Sequence, residues 1–373
     1  MTSMVAQMPT PFILRLTHFI SVFGITPWYN FEQHKLVRPM MFKFYSSFLV
    51  LLLASSTIGL VWLRYRLIFN CEFSLNTAID IFLDLESLVT VSLPIVVTFW
   101  DPHAWVKLYK AYSRVDASTE TVSYAGNSAF MLRYAAPVFV LGNVYLFSMH
   151  HINDLILKYI SDFSVYYFST FVLNYYEFLI AFTIIGVSAL IKSKYQCINE
   201  LLVARNSNGD FIKTAKEVRI LWLRMEDIVQ DFNRLFGWPL LLLFFDFFLD
   251  ILTALICATF ATDNSVYRME GGAAVANAFY LFQSAIWLTA IIFCCDSVVT
   301  ETDELLTNCY RLEQTLPLFS KELEELDSLK KLIRNKRPKL TAAGFFEIRR
   351  STLLSLLSTT TTYFIVALQF NSL

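Results

Sequence analysis

The sequence STLLSLLSTTTTYFIVALQFNSL, residues 351–373, is long enough to cross a membrane as a helix, yet it carries polar side chains along its length. A hydrocarbon core about 30 Å thick is crossed by roughly 20 helical residues. At helical spacing, one face of this segment collects Ser351, Ser355, Ser358, Thr362, Val366 and Gln369. All but Val366 are polar and none is charged. The pattern predicts a membrane helix whose polar face meets water or another polar helix.

An uncharged hydroxyl lining is suited to a pore that passes hydrated ions with little selectivity. One helix cannot enclose a pore, so this interpretation requires several copies around a symmetry axis, in a homo- or hetero-oligomer. A helix pair joined by Ser and Thr contacts is the alternative. The polar face runs along the whole predicted span, which favours the pore.

Composition predicts an all-α membrane protein. The 373 residues are 56% hydrophobic and 16% charged, whereas soluble domains are about 25% charged. We predict one domain over residues 1–373 with seven spans and cytosolic helical regions at about 192–235 and 299–350. The predicted spans are about 44–63, 79–100, 134–153, 166–191, 236–262, 271–298 and 351–370.

Basic residues predict the orientation of these spans. With the N-terminus in the cytoplasm, 26 of the 30 Lys and Arg residues lie on the inner side. The outer side then holds Arg64, Arg66, Lys158 and Arg268. The N-terminus is therefore predicted inside and the C-terminus outside, the opposite of a G-protein-coupled receptor.

The inner segments show helical periodicity rather than the composition of linkers. Apolar stripes are predicted at Ile220, Leu223, Ile228 and Phe232, and at Leu323, Leu326, Leu329, Leu332 and Ile333. Such stripes need a packing partner, so we expect several spans to continue into the cytoplasm as helices that pack together. Residues 11–25 carry Arg15 and His18 and are too short to span, which predicts an interfacial helix lying on the membrane.

Polar residues concentrate in the outer halves of the spans, which predicts a cavity open to the outside. Intramembrane carboxylates and amides mark functional sites by default. The candidate pocket residues are Asp80, Asp84, Asn143, Asn174, Tyr175, Glu177, Asp250, Asn277, Gln283 and Trp287. Carboxylates beside aromatic rings suit a polyol or an amine-bearing molecule, and the sequence does not choose between them. The alternative is that these residues form interhelical hydrogen bonds and aromatic belts at the membrane surface. This alternative is weakest for Asp84, Glu177 and Asp250, which lie deeper in the spans.

Other functional classes find little support in the sequence. It contains no nucleophile–base pair, no Gly-rich phosphate loop and no Cys/His spacing typical of a metal site. We therefore expect no enzymatic activity, cofactor or metal, and the net charge of −1 gives no sign of nucleic-acid binding. A secondary transporter remains an alternative, although no internal repeat relates the two halves.

The stretch TYFIVALQF, residues 362–370, resembles the C-terminal motif of insect gustatory receptors. Thr362, Tyr363, Gln369 and Phe370 match the fixed positions, and the five residues between them are apolar. The upstream stretch AAGFFEIRRSTLLSLLSTTTTY is also similar to the approach to the last helix in that family. The predicted seven-span topology with an inside N-terminus agrees with this resemblance.

The resemblance implies a ligand-gated channel for monovalent and divalent cations, tetrameric with identical or related subunits, in the plasma membrane of sensory neurons. The last helix would line the pore, Gln369 and Phe370 would form the gate, and cytosolic helix extensions would form an anchor domain. A small-molecule tastant would bind from outside among the first six helices. Phe364 stands where sugar receptors often carry Glu, which favours the divergent group often associated with bitter compounds. An olfactory channel, which typically lacks the motif, is the other alternative.

Overall fold

The computed structural model describes residues 11–31, 33, 35–67, 75–119, 135–149, 151, 164–205, 211–260, 271–317 and 320–371. Within these ranges the chain forms ten helices and two short hairpins. The first five helices are α1 (Pro11–Val22), α2 (Pro39–Leu67), α3 (Leu75–Trp100), α4 (Pro102–Thr119) and α5 (Ala135–Met149). The first hairpin pairs β1 (Tyr29–Asn30) with β2 (Lys35–Leu36) between α1 and α2.

Three unusually long helices follow and form the centre of the fold. They are α6 (Ser164–Arg205), α7 (Phe211–Phe260) and α8 (Gly271–Glu313). The 50 residues of α7 extend about 75 Å, more than twice the thickness of a hydrocarbon core. The chain ends with α9 (Lys321–Asn335), a hairpin of β3 (Thr341–Ala342) and β4 (Phe346–Glu347), and α10 (Arg350–Asn371).

Five of these helices are long and apolar enough to cross a membrane, namely α2, α3, α6, α7 and α8. This agrees with the predicted all-α membrane protein. Of the other two predicted spans, α5 is apolar but short in its described part. The 22-residue α10 is long enough, but its hydroxyl side chains make it less apolar than the other spans.

Beyond the predicted spans, α6, α7 and α8 pack with α4 and α9 into what we call the extension layer. Tyr195 of α6, Trp222 and Phe232 of α7, and Cys309 of α8 are each at most 1% exposed there. The rings of Tyr195 and Trp222 lie 5.3 Å apart. Burial raises the pKa of the Cys309 thiol to about 12, so this cysteine is a packing group rather than a reactive one.

Helix α9 is amphipathic and closes the extension layer against α7 and α8. Leu326, Leu329 and Ile333 are at most 2% exposed, so the predicted apolar stripe finds its partners within the same chain. Lys330 is also buried, with its Nζ 2.7 Å from the Glu313 carboxylate of α8. This ion pair fastens α9 to the end of α8.

The predicted apolar stripe of α7 is wrong at two positions. Ile220 and Leu223 are 52% and 37% exposed, whereas Val218, Trp222 and Met225 are buried. Both sets recur at helical spacing, but α4, α6 and α9 pack on the side that carries the second set. The neighbouring helices therefore decide which of two possible stripes is buried.

Helix α4 was not predicted, although the sequence contains its start signals. Asp101 caps the helix by accepting a hydrogen bond from Ala104 N at 3.1 Å, and Pro102 occupies the first helical position. The Trp105 ring then packs edge-on against Phe236 of α7 at 5.4 Å. The buried residues Trp105, Leu108 and Val115 of α4 recur at helical spacing, so the apolar pattern was present in the sequence but was not considered.

Helix α1 forms within the predicted segment, but its carboxyl end does not lie on the surface of the bundle. Ile20 and Ile25 are 2% and 1% exposed, and the Thr98 hydroxyl of α3 donates to Ile25 O at 2.7 Å. The Phe23 ring contacts Tyr175 and Tyr176 of α6. Because this end of α1 lacks charged side chains, it can insert among the spans.

The hairpin of β3 and β4 connects α9 to α10 and docks on α7. Asn233 of α7 donates from Nδ2 to Lys339 O at 2.7 Å and accepts at Oδ1 from Thr341 N at 2.9 Å. Lys339 also forms an ion pair with Glu347, and its hydrogen bond holds the pKa of that carboxyl below its usual range. Gly344 at the turn has a φ of +79°, which favours glycine. The hairpin is thus fixed at its base.

We expect Gly237→Ala to weaken hairpin docking. A Cβ at Gly237 would lie 3.1 Å from Ala343 N and 3.2 Å from Ala343 Cα, and this backbone cannot move aside like a side chain. Overpacking of this kind costs about 1–3 kcal/mol. The control is Gly186→Ala on α6, where the added Cβ meets no atom within 4 Å. Thermal unfolding of the purified variants should show a lower melting temperature for Gly237→Ala, and equal values would contradict the docking.

Candidate functional site

Helix α10 has a packed face and an exposed face on opposite sides. Leu353 and Leu356 pack against the core and Thr360 is 1% exposed, which directs this face toward α7 and α8. At about 100° per residue, the polar face lies half a turn away from this packed face. All its predicted members are exposed in the single chain, namely Ser351, Ser355, Ser358, Thr362, Val366 and Gln369.

The hydroxyl groups of α10 point their hydrogens back along the helix. Ser355 donates to Ser351 O at 3.2 Å, and Thr362 donates to Ser358 O at 2.9 Å. Thr359, Thr360 and Thr361 make the same bond to the carbonyl four residues earlier. Since the donors are used internally, the exposed hydroxyl oxygens present lone pairs outward.

The base of α10 is held to the inner end of the predicted α8 span. Arg350 Nε lies 2.8 Å from Asp296 Oδ2, and the guanidinium stacks 5.0 Å from the centre of the Phe293 ring. The Asp296 side chain is 15% exposed. Near the other end of α10, the Tyr363 ring contacts Phe248 of α7 edge-on at 5.7 Å.

A polar and aromatic cluster lies between α5, α6 and α8. The Tyr175 hydroxyl donates to Asn143 Oδ1 at 2.8 Å, which brings two predicted pocket residues together. The Trp287 ring of α8 lies 4.9 Å from Phe178 of α6. Gly142 lets both rings approach α5, because a Cβ there would lie 2.6 Å from Phe178 and 3.3 Å from Trp287.

A second cluster gathers four carboxyl groups from three helices. Glu177 of α6 is close enough to Asp250 of α7 and Glu86 of α3 for their charges to interact. Glu86 also lies close enough to Asp246 of α7 for the two carboxyl groups to interact. The Thr90 hydroxyl also donates to Glu86 at 2.8 Å. We call Glu86, Glu177, Asp246 and Asp250 the acidic cluster.

The remaining predicted pocket residues are not shown in these clusters. Asn174 Nδ2 donates to Thr170 O on its own helix at 2.9 Å, and Asp84 is partly exposed on α3. Gln283 is buried on α8, one turn before Trp287. The side chains of the predicted pocket residues Asp80 and Asn277 lie outside the described part of the structure, as does that of the predicted gate residue Phe370.

The family profile described as 7tm Chemosensory receptor matches residues 13–373, nearly the whole chain. The chain belongs to the 7tm chemosensory receptor family. This is a receptor family and not an enzyme family. No curated protein matches the receptor.

The fold of the receptor is similar to that of insect olfactory receptor OR5 from Machilis hrabei. The TM-score is 0.66 at 14% identity, and the match covers 96% of this chain and 98% of that chain. The same olfactory receptor in complex with eugenol gives a TM-score of 0.64 at 14% identity, with the same coverage. At this identity the likeness shows the fold, which is that of an insect chemoreceptor.

Several residues near the candidate pocket escaped the sequence analysis. The predicted pocket residues did not include the intramembrane carboxylates Glu86 and Asp246, and Phe178 and Gly142 were not considered. A glycine within an apolar span is a signal for close approach of another side chain. Which carboxylates meet depends on helix packing that the sequence alone does not reveal.

A shallow groove of about 390 Å³ runs along α5 on the outside of the receptor. It is lined by Phe139, Val140, Asn143, Val144, Phe147 and Ser148. The groove is almost entirely apolar, and Val140, Val144 and Phe147 are more than half exposed. This surface is suited to lipid contact, with Asn143 linking it to the cluster of Tyr175.

Proposed function

We propose that the receptor is a gustatory receptor that acts as a ligand-gated, non-selective cation channel opened by an extracellular small-molecule tastant. The observation that carries the proposal is the exposed polar face of α10, which lies opposite the face that packs on α7 and α8. A polar face left uncovered along a membrane helix needs water or another copy of the helix. Membership of a chemosensory receptor family supports coupling to a ligand.

The hydroxyl geometry of α10 supports conduction of cations rather than anions. The exposed Ser355 and Thr362 donate their hydrogens to the helix backbone, so their oxygens carry the outward partial charge. Uncharged hydroxyl oxygens that meet ions still carrying their hydration water are suited to a pore with little preference among monovalent and divalent cations. We therefore propose that both monovalent and divalent cations pass through the pore.

The proposed assembly is a tetramer with closed rotational symmetry, formed by identical or related subunits around α10. Within each subunit, one seven-span domain covers residues 1–373. The N-terminus lies inside and the C-terminus outside, because 26 of 30 Lys and Arg residues then lie on the inner side. We place the tetramer in the plasma membrane of sensory neurons.

The proposed ligand pocket lies among the outer halves of the spans, around the Asn143–Tyr175 pair, Trp287 and the carboxyls of Glu177 and Asp250. Binding of eugenol by the structurally similar olfactory receptor supports a small organic ligand. The sugar-receptor Glu is replaced by Phe364, which supports a tastant outside the sugar class, with bitter compounds as the proposed class.

An olfactory-type channel subunit is the second candidate function. The structural similarity to an olfactory receptor favours it. The TYFIVALQF stretch favours the gustatory assignment, because all four fixed positions of that motif are present. Responses to soluble tastants rather than volatile odorants would support the gustatory assignment.

Recording from excised membrane patches tests the channel proposal. Patches from cells expressing the receptor should show cation current when a panel of bitter compounds reaches the outer face, without GTP or cytosol. Untransfected cells are the control. Activity that requires a G protein, or current coupled stoichiometrically to movement of the compound, would contradict the proposal.

We expect Gln369→Ala and Phe370→Ala to raise basal current or alter ion selectivity. Both residues end the proposed pore helix, and loss of their side chains should lower the barrier that a narrow apolar constriction imposes on ions. Whole-cell current without ligand is the measurement. The control is Gln314→Ala, an exposed amide beyond the end of α8. Wild-type gating by both variants at normal surface levels would refute the gate assignment.

A further inference from the structure

The acidic cluster concentrates negative groups in the interior of the predicted spans. Asp246 and Glu86 are 8% and 7% exposed, and Glu177 is near enough to Asp250 and Glu86 for their charges to interact. Two carboxylates close together in a low-dielectric interior do not both stay ionised without a partner. The cluster therefore calls for protons or for a cation from outside the chain.

The chain supplies no basic side chain for this purpose in the spans concerned. Residues 79–100, 166–191, 236–262 and 271–298 contain no Lys or Arg. The hydroxyl groups of Thr90 and Ser284 donate to Glu86 and Asp250, but neutral donors leave the negative charge uncompensated. A buried charge is normally paired.

An independent observation points to a ligand at the same level of the bundle. Gln283 of α8 is 2% exposed, and its Oε1 accepts no hydrogen bond from any described residue. It directly precedes Ser284, which donates to Asp250 of the acidic cluster. One turn further along α8, Trp287 Nε1 also finds no partner in the described part of the chain. Unpartnered buried polar atoms of this kind call for a missing donor or acceptor.

The spread of the carboxyl groups favours a large cation over a small one. Among the described residues, no three acidic, His or Cys side chains are close enough to hold a metal ion. The Trp287 ring is partly exposed and packs on Phe178 at 4.9 Å, and an indole face of this kind attracts organic ammonium groups. An organic cation can meet dispersed carboxylates and an aromatic wall at once.

We propose that the receptor's ligand is an organic cation, whose positively charged group binds between the acidic cluster and Trp287, with the amide oxygen of Gln283 next to the positive charge. This inference rests on the proposed function, because it names the chemical class of the ligand that binds in the proposed pocket. It chooses the amine-bearing molecule over the polyol that the sequence left open.

The test compares a charged compound with its uncharged isostere. Benzyltrimethylammonium and neopentylbenzene have the same shape, and the quaternary nitrogen holds its charge at every pH. Each is titrated onto the purified full-length receptor while the melting temperature is followed, since a ligand of the folded state raises it. Only the cation is attracted to the carboxylates and to the ring face, so it should act at concentrations about tenfold or more lower than neopentylbenzene.

Variants locate the effect. Asp250→Asn and Glu177→Gln keep the size of the side chain and should remove the preference for benzyltrimethylammonium. Asp227→Asn is the matched control, because it removes an exposed carboxylate from the extension-layer part of α7. This control should keep the preference. If one of the two cluster variants fails to fold, the other variant and the comparison of the two compounds on the wild type still show whether the preference depends on the acidic cluster.

Each outcome bears on the inference. Binding of neither compound, equal binding of both, or an unchanged preference in both cluster variants would overturn it. Displacement of benzyltrimethylammonium by stoichiometric Ca²⁺ would assign the cluster to a metal and also overturn it. Preferential binding without any current in patches would leave this inference standing and contradict the channel proposal, so the two failures are distinguishable.

Discussion

A lysine in place of Ser358 is expected to abolish cation influx while surface expression stays normal. Ser358 is exposed on the polar face of α10, so the longer side chain meets no packed neighbour within the chain. In a symmetric assembly, every subunit would add one positive charge to the pore. At about 8 Å and an effective dielectric constant of about 20, each lysine opposes a monovalent cation by about 2 kcal/mol.

The opposing charges add around the pore, so the current should fall about a hundredfold or more. Whole-cell recording, normalised to surface biotinylation, is the measurement. Ser358→Glu is the control, since it adds a side chain of similar bulk with the opposite sign and should retain cation current. Equal currents in the two charged variants would contradict a pore-facing position.

Gly142→Ala is expected to destabilise the receptor and disturb the proposed pocket. The added Cβ would lie 2.6 and 2.8 Å from two atoms of the Phe178 ring, closer than real contacts allow. Phe178 is 0% exposed and packs against Phe139 and Trp287, so its ring has no free space to move into. Overpacking of this kind costs about 1–3 kcal/mol.

Thermal unfolding and agonist dose–response on the same variant measure both effects. The control is Gly59→Ala in α2, where an added Cβ meets nothing within 4 Å. The double variant Gly142→Ala with Phe178→Leu should recover part of the lost stability, because the smaller side chain makes room. Wild-type stability of Gly142→Ala, or no recovery in the double variant, would contradict the packing described for α5, α6 and α8.

Local features of the fold were predictable because they depend on short-range periodicity. The exposed face of α10 follows from hydroxyl residues that recur every three or four positions, whatever the neighbouring helices are. The amphipathic α9 was predictable for the same reason, and Leu326 and Leu329 are buried as expected. Long apolar segments indicate membrane spans from composition alone.

Features that depend on packing between distant segments were not predictable. Ile220 and Leu223 form a plausible stripe, yet α7 turns them outward because its neighbours pack on the other side. The insertion of Phe23 against Tyr175 likewise depends on the arrangement of spans distant in sequence. In the candidate site, sequence reasoning found Asn143 and Tyr175 separately, but their hydrogen bond joins residues 32 positions apart.

Cysteine accessibility along α10 tests the central claim most directly. Single cysteines replace Ser355, Ser358 and Thr362 on the exposed face, and Leu353, Leu356 and Thr360 on the packed face. A positively charged methanethiosulfonate reagent is then applied to open channels. The account predicts rapid, irreversible block at the first three positions and none at the other three or in the wild type. Block at the packed positions, or none at the exposed ones, would contradict a pore lined by the polar face of α10.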